Sequence, residues 1–134
     1  MKKIIFILSL LSAFVIEANA SKLTRNDFVS SAAPGDTNKT DGAGKKTGFW
    51  IERTGAYDWE GIYSNGLREG TWVGYPVGTP MPAFVENYRG GKKNGISLGI
   101  DRAGYIFKQE NYKDDSLDGI RRTYFTGGRV KTEE

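Results

Sequence analysis

The segment Tyr63-Ser-Asn-Gly66-Leu-Arg-Glu-Gly70-Thr-Trp72 decides the fold, because its pattern recurs twice further along the chain. Its counterparts are Tyr88-Arg-Gly-Gly91-Lys-Lys-Asn-Gly95-Ile-Ser97 and Tyr112-Lys-Asp-Asp115-Ser-Leu-Asp-Gly119-Ile-Arg121. The shared template is a tyrosine, two residues, a turn residue, three mostly polar residues and a glycine. Gly48 marks an earlier unit whose upstream half is missing. Such self-similarity is typical of repeat architectures.

The turn positions of the template favour β-hairpins. Asn65-Gly66, Gly90-Gly91 and Asp114-Asp115 occupy these positions, and Gly127-Gly128 follows the last repeat. All four pairs consist of residues that tolerate positive φ, which tight turns require. The runs between them are rich in aromatic and β-branched residues, which suit half-buried strands. We interpret the periodic glycine as a point where the backbone of the neighbouring unit approaches closely. The pattern predicts an all-β fold, an antiparallel meander of consecutive hairpins in one twisted sheet with a shared aromatic face; a small β-sandwich is the alternative.

These three segments resemble the bacterial variant of MORN repeats, whose pattern is Tyr-x-x-Gly-x-x-x-Gly-x-Trp. The resemblance covers residues 48–134. Asp115 stands where the last unit should have its first glycine, while Ser97 and Arg121 replace the tryptophan. The resemblance implies an extended antiparallel sheet that binds rather than catalyses, and many bacterial proteins with this repeat are labelled antitoxin-like.

The N-terminal residues 1–20 have the three parts of a cleavable signal peptide. Lys2 and Lys3 precede an apolar run, and Ala18-Asn-Ala20 supplies small residues for a signal peptidase. A membrane anchor is the alternative, but a spanning helix needs about 20 apolar residues, and this run is shorter and ends at Glu17. We therefore expect a periplasmic protein, with secretion as the alternative.

Two further regions follow the signal peptide. Residues 21–47 are mostly small, polar and glycine-rich, so they cannot bury enough apolar surface to offset the entropy of the chain. We predict a flexible tether there. Residues 48–134 hold most of the aromatic side chains and form the predicted repeat domain.

The composition excludes several kinds of catalysis. The chain has no cysteine and no histidine, which removes Ser-His-Asp and Cys-His chemistry and most zinc sites. Its formal net charge of +3 is too mild to indicate nucleic-acid binding. We expect no enzymatic activity, no cofactor and no metal. A calcium site formed by Asp114, Asp115 and Asp118 is conceivable, but the spacing lacks the full loop pattern, so a solvated turn is favoured.

The remaining catalytic candidates are carboxylates. Glu60, Glu86 and Glu110 recur at the same place in successive units. A glycosidase needs two carboxyl groups that face each other across a cleft. Repeat-equivalent residues should instead lie in a row along one face, as cross-strand neighbours do.

A proline-rich segment, residues 75–82, contains three of the four prolines and lengthens one hairpin loop. Proline stiffens a loop before it binds, which lowers the entropy cost of binding; the alternative is that the prolines only block edge pairing. Exposed aromatic residues and a basic rim would complete a binding surface. The candidate partner-binding residues are Tyr75, Pro76, Val77, Thr79, Pro80, Met81, Trp72, Tyr88, Lys92, Lys93, Arg121 and Arg122.

These observations lead to one main hypothesis and two alternatives. We expect an exported immunity or antitoxin-type inhibitor that binds a periplasmic toxin or hydrolase acting on the cell wall, and that forms a homodimer through its sheet edges. The first alternative is an attachment module that binds peptidoglycan, glycan or membrane through its aromatic sheet. The second is a glycan-acting enzyme that uses paired glutamates.

Overall fold

A computed structural model describes residues 36–134, which form a single antiparallel sheet. The order along the sheet is β1-β2-β3-β4-β5-β7-β8-β10-β11, and the short strands β6 and β9 pair with β5 and β8. This arrangement confirms the predicted all-β meander of hairpins. The strands are β1 (Lys39–Thr40), β2 (Lys46–Thr54), β3 (Tyr57–Ser64), β4 (Leu67–Pro76), β5 (Phe84–Arg89), β6 (Lys92–Lys93), β7 (Gly95–Ile100), β8 (Ile106–Lys113), β9 (Ser116–Leu117), β10 (Arg122–Tyr124) and β11 (Val130–Glu133).

Two of the predicted regions fall largely outside this part of the chain. The predicted signal peptide, residues 1–20, and the first part of the predicted tether lie outside the described residues. Within residues 36–134, no helix is long and apolar enough to cross a membrane.

The sheet begins earlier than the sequence predicts, because β1 and the start of β2 lie within residues 21–47. Asp41 closes the turn between them, and its carboxylate accepts two backbone N–H groups at 2.9 Å. Asn38 pairs its side-chain amide with the backbone of Ile51, accepting at 2.8 Å and donating at 3.1 Å. The domain boundary expected at residue 48 is therefore corrected to lie before β1. Short polar side chains order this segment by bonding to the backbone.

The turn prediction is confirmed at three hairpins. Asn65-Gly66, Gly90-Gly91 and Asp114-Asp115 have positive φ at both residues, the combination that matches the twist of paired strands. Asp115 occupies the left-handed region in place of the template glycine, with φ of 69°. Its carboxylate accepts the Lys93 N–H at 2.7 Å, a bond that glycine cannot make. This bond offsets part of the strain of a non-glycine residue in that region.

The interpretation of the periodic glycine is wrong in its mechanism. Gly48, Gly70, Gly95 and Gly119 all have φ between 68° and 102°, and a Cβ atom at Gly48 or Gly70 would meet nothing within 4 Å. These positions require glycine for its left-handed backbone, not for close approach. The side-chain amides of Asn87 and Asn111 donate to carbonyls just after the glycines of their units, at 2.7 Å and 3.4 Å.

One backbone hydrogen bond recurs between neighbouring units. The second turn residue of each unit donates to a carbonyl of the unit before it: Gly66 to Lys46 at 2.9 Å, Gly91 to Arg68 at 2.9 Å, and Asp115 to Lys93 at 3.0 Å. The turns therefore stack along one end of the sheet. This contact fixes the register between successive hairpins independently of their side chains.

The apolar core is small and lies on one face of the central strands. It consists of Val73, Tyr75, Val85 and Ile100, with Leu98 and Ile106 packed against it. Directly paired residues share a face of a sheet, and Val85 pairs with both Val73 and Leu98. Successive residues alternate between faces, so Trp72, adjacent to Val73, points to the opposite side.

Candidate functional site

The face opposite the apolar core carries a continuous row of aromatic rings. Trp50 meets Tyr63 at 5.6 Å between ring centroids, Tyr63 meets Trp72 at 5.0 Å, and Trp72 meets Tyr88 at 6.5 Å, all edge to face. This is a favoured geometry for aromatic pairs. We call this surface the ladder face, and its repeating members are Lys46, Trp50, Glu52, Tyr63, Arg68, Trp72, Glu86, Tyr88, Lys93, Glu110 and Tyr112.

Trp72 is the most enclosed side chain of the ladder face, with 0% of its surface exposed. Its ring lies directly against the backbone of Gly61, where no side chain would fit. The guanidinium carbon of Arg68 lies 4.1 Å from the ring centroid. The indole N–H donates to the carbonyl of Ile62 at 3.1 Å. The Trp72 ring therefore packs against the backbone of Gly61 and is in contact with the guanidinium of Arg68.

Arg68 connects several parts of the ladder face. Its Nη2 atom donates to Glu52 at 2.5 Å, and its Nη1 atom donates to the Tyr88 hydroxyl at 3.2 Å. Burial works against the charged form of Arg68, but its interactions with Glu52, Tyr63 and Tyr88 together outweigh this effect, so the pKa of Arg68 lies above its usual range. Arg68 thus stays protonated while it links β2 to β5 across two strands.

Each ladder carboxylate binds at least one cation and one tyrosine hydroxyl. Glu52 accepts from Lys46 at 2.7 Å and from Tyr63 at 3.1 Å. Glu86 accepts from Lys93 at 2.5 Å and from Tyr88 at 2.6 Å.

Glu110 repeats the arrangement with different cations. It pairs with Lys108 at 2.9 Å and Arg121 at 3.1 Å, and it accepts from the Tyr112 hydroxyl at 3.1 Å. Burial raises the pKa values of Glu52 and Glu110, but their bonds to the basic side chains more than reverse this, so both lie below the usual range. Burial and the adjacent carboxylates raise the pKa values of Tyr88 and Tyr112.

The predicted row of Glu60, Glu86 and Glu110 is wrong at its first member. Glu60 pairs with Val73 and lies on the face of the apolar core. Glu60 stands three residues before Tyr63, whereas Glu86 and Glu110 stand two residues before Tyr88 and Tyr112. Because successive residues of a strand alternate between faces, this one-residue offset places Glu60 on the other side of the sheet. On the ladder face, Glu52 makes the corresponding bonds to a cation and a tyrosine.

A basic position of the repeat was missed by the sequence reasoning. Lys46, Arg68 and Lys93 stand two residues before successive periodic glycines. Each lies over the tyrosine of the following unit, at 4.7, 5.3 and 5.3 Å from the ring centroid. Such contacts between cations and rings are attractive. The recurring basic residue was a signal available in the sequence, and the fourth unit lacks it because Leu117 takes that position.

The proline-rich loop, residues 77–83, lies at the opposite end of the sheet from the stacked turns. Val77 donates its N–H to Ala56 at 3.0 Å, and Ala83 donates to Gly74 at 2.8 Å. Pro82 is fully buried, whereas Val77 is 44% exposed. The Thr79 hydroxyl lies 3.1 Å from the Pro76 carbonyl and 3.2 Å from that of Met81. The loop therefore has an exposed tip, at residues 77–80, between anchored ends.

The predicted partner-binding residues do not form one surface. Pro76, Val77, Thr79, Pro80 and Met81 belong to the loop or its base, where Val77, Thr79 and Pro80 are exposed. Trp72 and Tyr75 are buried, with 0% and 2% exposure, so the expectation that they contact a partner is wrong. Tyr75 belongs to the apolar core, and Trp72 is enclosed by the ladder.

The four predicted basic residues lie away from the loop. Lys92 and Lys93 follow the end of β5, whereas the loop precedes its start, so the strand separates them. Lys93 and Tyr88 are part of the ladder face, and Arg121 pairs with Glu110. Arg122 pairs with Glu133 at 2.6 Å on the last hairpin. Lys93, Arg121 and Arg122 are therefore each paired with a carboxylate.

A second aromatic group, which we call the aromatic shelf, consists of Tyr57, Trp59 and Phe84. The rings of Trp59 and Phe84 are nearly parallel, 13° apart, with centroids separated by 6.0 Å. Tyr57 stands at 70° to Phe84 with centroids 5.1 Å apart. Gly74 lies between Trp59 and Phe84 in the strand register, so the rings can lie over its backbone.

The acidic turn of the last unit shows no metal-binding arrangement. Across residues 36–134 there is no group of three or more His, Cys, Asp or Glu residues that could hold a metal ion. Asp115 uses its carboxylate to bind the Lys93 backbone, while Asp114 and Asp118 line an open polar depression beside Arg89 and Asn94.

The fold and the ladder face together define an all-β protein built from repeated hairpins. Comparisons with family models, curated proteins and solved structures return no match to this chain. The MORN-repeat resemblance therefore stays an interpretation of the repeat pattern itself.

Proposed function

We propose that this protein is an exported, non-catalytic binding protein that blocks a protein partner with loop 77–83. We place it in the immunity or antitoxin class, acting in the periplasm against a toxic enzyme that degrades the cell wall. The observation that carries the proposal is the exposed tip of a loop whose two ends are anchored to the sheet.

The loop has the properties that favour binding. Three features restrict its conformations before any partner binds: Pro80, the turn from Pro76 to Thr79, and the buried Pro82. A pre-organised loop loses little conformational entropy on binding, so more of its contact energy appears as affinity. Val77, Pro80 and Met81 give it an apolar tip suited to a desolvated pocket.

The geometry of the ladder face favours binding over catalysis. Glu52, Glu86 and Glu110 lie in a row on one face, and each is bonded to a cation and a tyrosine. A pair of carboxyl groups acting on a glycan must instead flank the scissile bond. The predicted signal peptide supports action outside the cytoplasm, and a cell-wall hydrolase is a natural toxic target there.

The test uses a toxic periplasmic hydrolase encoded beside this gene and three variants of the full chain. Val77→Asp and Met81→Asp should each weaken the complex by at least about 30-fold, since they place a charge in the buried centre of the interface. Leu117→Asp is the control, because Leu117 is 55% exposed but lies on β9, beside the stacked turns. Affinity is measured by calorimetry, and protection by survival of cells that export the hydrolase.

Two outcomes would contradict the proposal. If the wild-type protein neither binds such a hydrolase nor protects the cells, the inhibitor function is wrong. If the complex forms but the loop variants bind as tightly as wild type, the inhibitor acts through another surface.

We also propose that two copies associate through β11. All four residues of β11 are exposed, and among residues 36–134 the strand pairs on one side only, with β10. An unpaired strand edge readily pairs with another chain. Sedimentation velocity should show a dimer that dissociates on dilution, whereas a monomer at every concentration would contradict this.

A further inference from the structure

The floor of the aromatic shelf is formed by two rings lying over a glycine. Trp59, Gly74 and Phe84 are direct neighbours across β3, β4 and β5. A Cβ atom at Gly74 would lie 3.0 Å from the Trp59 ring, so that ring rests against the strand backbone. The Phe84 ring stacks against that of Trp59, 13° from parallel and with 6.0 Å between the centroids. Both side chains are only partly buried, so the floor is accessible from the ladder side.

The two sides of the shelf differ in chemistry. Tyr57 stands edge-on to Phe84 and forms an aromatic wall. On the other side, the guanidinium carbon of Arg68 lies 5.5 Å from the Trp59 ring centroid, and Glu52 is the direct neighbour of Trp59 on β2. The shelf therefore combines a flat apolar floor with planar polar groups along one edge.

This combination matches a pyranose ring. Such a ring has an apolar C–H face, which suits the negative face of an aromatic ring, and hydroxyl groups around its edge. A carboxylate has about four acceptor sites and a guanidinium has five donors. Lys46, Tyr63 and Arg68 occupy the acceptor sites of Glu52. Arg68 keeps donors beyond its bonds to Glu52 and Tyr88, and these donors can bond to the oxygen atoms of a sugar.

The charge beside the shelf indicates which glycan is favoured. The polar side carries the cations Lys46 and Arg68 against the carboxylate Glu52, which leaves one positive charge in excess. Lys46 has 38% of its side chain exposed and can approach a bound ligand. A sugar that carries a carboxylate therefore complements the site better than a neutral one.

We propose that the aromatic shelf binds an acidic glycan, with one pyranose ring seated on Trp59 and Phe84. The site is separate from the tip of loop 77–83, so it stands whether or not the loop binds a protein. Binding here would hold the exported protein to an acidic polysaccharide.

The first experiment titrates the full chain with an oligogalacturonide and follows the indole N–H resonances by NMR. The Trp59 resonance should move in a saturable manner. The Trp72 resonance is the internal control, because Trp72 is fully buried and its N–H is bonded to Ile62. An unmoved Trp59 resonance overturns the proposal. A neutral maltooligosaccharide of the same length tests the specificity for an acidic sugar, and equal affinity for it overturns that specificity. Anionic vesicles test whether the ligand is instead a lipid, and displacement of the glycan by the vesicles overturns the choice of a glycan.

The second experiment compares two ring deletions. Trp59→Ala should weaken oligogalacturonide binding by about tenfold or more, as expected for loss of one stacking partner. Phe125→Ala is the control, because Phe125 is 46% exposed and lies in the last hairpin, away from the shelf. Equal losses in both variants would overturn the assignment to the shelf. If Trp59→Ala does not fold, Trp59→Phe retains a smaller ring and should show an intermediate loss; wild-type affinity in that variant would count against the proposal.

Two further variants separate this proposal from the proposed inhibitor function. Val77→Ser, which adds no charge beside Tyr57, should leave oligogalacturonide binding unchanged while it weakens the complex with the hydrolase. Trp59→Phe should weaken glycan binding and leave the hydrolase complex intact. If either loss extends to the other ligand, the two sites are not separate and the proposal of a distinct glycan site fails.

Discussion

The second and fourth units share one template but differ in how firmly their side chains are held. In the second, Trp72 is completely buried in contact with Arg68. In the fourth, Arg121 takes the tryptophan position with 45% of its side chain exposed, and Leu117 takes the cation position at 55% exposure. The two units have the same positive-φ turn and glycine. The template thus fixes the backbone, while two side-chain positions determine how tightly a unit is packed.

The ladder face matters because the apolar core is small. Four buried hydrophobic residues form the core cluster on the opposite face, which is little for a sheet of this size. A half-buried ion pair adds stability only when its remaining bonding groups are satisfied. The ladder meets this condition, since each carboxylate also accepts from a tyrosine hydroxyl. We therefore expect the second unit to depend on the ladder more than the fourth does.

Deleting the ring at the tryptophan position should give the largest difference between the units. Trp72→Ala should lower the free energy of unfolding by about 3–5 kcal/mol, because it leaves a cavity and removes the ring beneath Arg68. Arg121→Ala should cost about 1 kcal/mol or less, as a partly exposed ion pair is weak. Urea denaturation followed by circular dichroism measures both. Equal losses would show that the template, and not the side chain, determines packing.

The close contact between Gly61 and Trp72 gives the next test. Gly61→Ala would place a methyl group inside the indole ring, so the ring must move, at a cost of about 1–3 kcal/mol. Gly42→Ala is the control, since a Cβ atom there meets nothing within 4 Å. Thermal unfolding of the two variants should separate them clearly. A wild-type melting temperature for Gly61→Ala would show that the ring does not rest on this glycine.

The cation position should show a smaller difference. Arg68→Ala leaves Glu52 with one partner fewer and exposes one face of Trp72, so we expect a loss of about 1–3 kcal/mol. Leu117→Ala changes an exposed side chain and should stay within about 0.5 kcal/mol. Chemical denaturation at low and high salt measures both. A loss for Leu117→Ala as large as that for Arg68→Ala would contradict the account.

Acid should weaken the ladder modestly. The pKa values of Glu52 and Glu110 are lowered in the folded protein from an ordinary value of 4.5. A carboxylate with a lowered folded-state pKa contributes its stability above the ordinary value and loses it as the pH falls through the folded-state value. Unfolding measured from pH 6 downwards (about 1.5 pH units above the ordinary value) should show stability falling below pH 4.5. Glu52→Gln should flatten part of this decline, and an unchanged acid profile in that variant would contradict the role of Glu52.

Local sequence signals predicted the backbone well and the side-chain partners poorly. The turn pairs at Asn65-Gly66 and Asp114-Asp115 were predictable, because positive φ restricts residue choice at the position itself. The burial of Trp72 was not, because it depends on Gly61 and Arg68, which reach it from different points of the chain. The place of Glu60 was missed because Glu60 stands three residues before its tyrosine, not two, and a one-residue offset moves a strand residue to the other face.

At the candidate site, too, local features were predictable from the sequence and contacts between distant residues were not. The proline-rich loop was found from composition alone, since prolines report a stiff segment directly. Lys92 and Lys93 are close to the loop in sequence but lie beyond the far end of β5, so closeness along the chain does not indicate closeness in space. Asn38 and Asp41 fell within the predicted flexible tether, because the segment has no large apolar residues. Their side chains order it by hydrogen bonds to the backbone, which the composition does not indicate.

Native-state hydrogen exchange tests the central claim most directly, because it reports the stability of both units in one unmodified molecule. The Gly66 N–H of the second unit bonds to the Lys46 carbonyl, and the equivalent Asp115 N–H of the fourth unit bonds to the Lys93 carbonyl. The account predicts that the Gly66 amide exchanges through an opening of much higher free energy than the Asp115 amide. Equal protection of the two amides would contradict the claim that the ladder holds the second unit more firmly than the fourth.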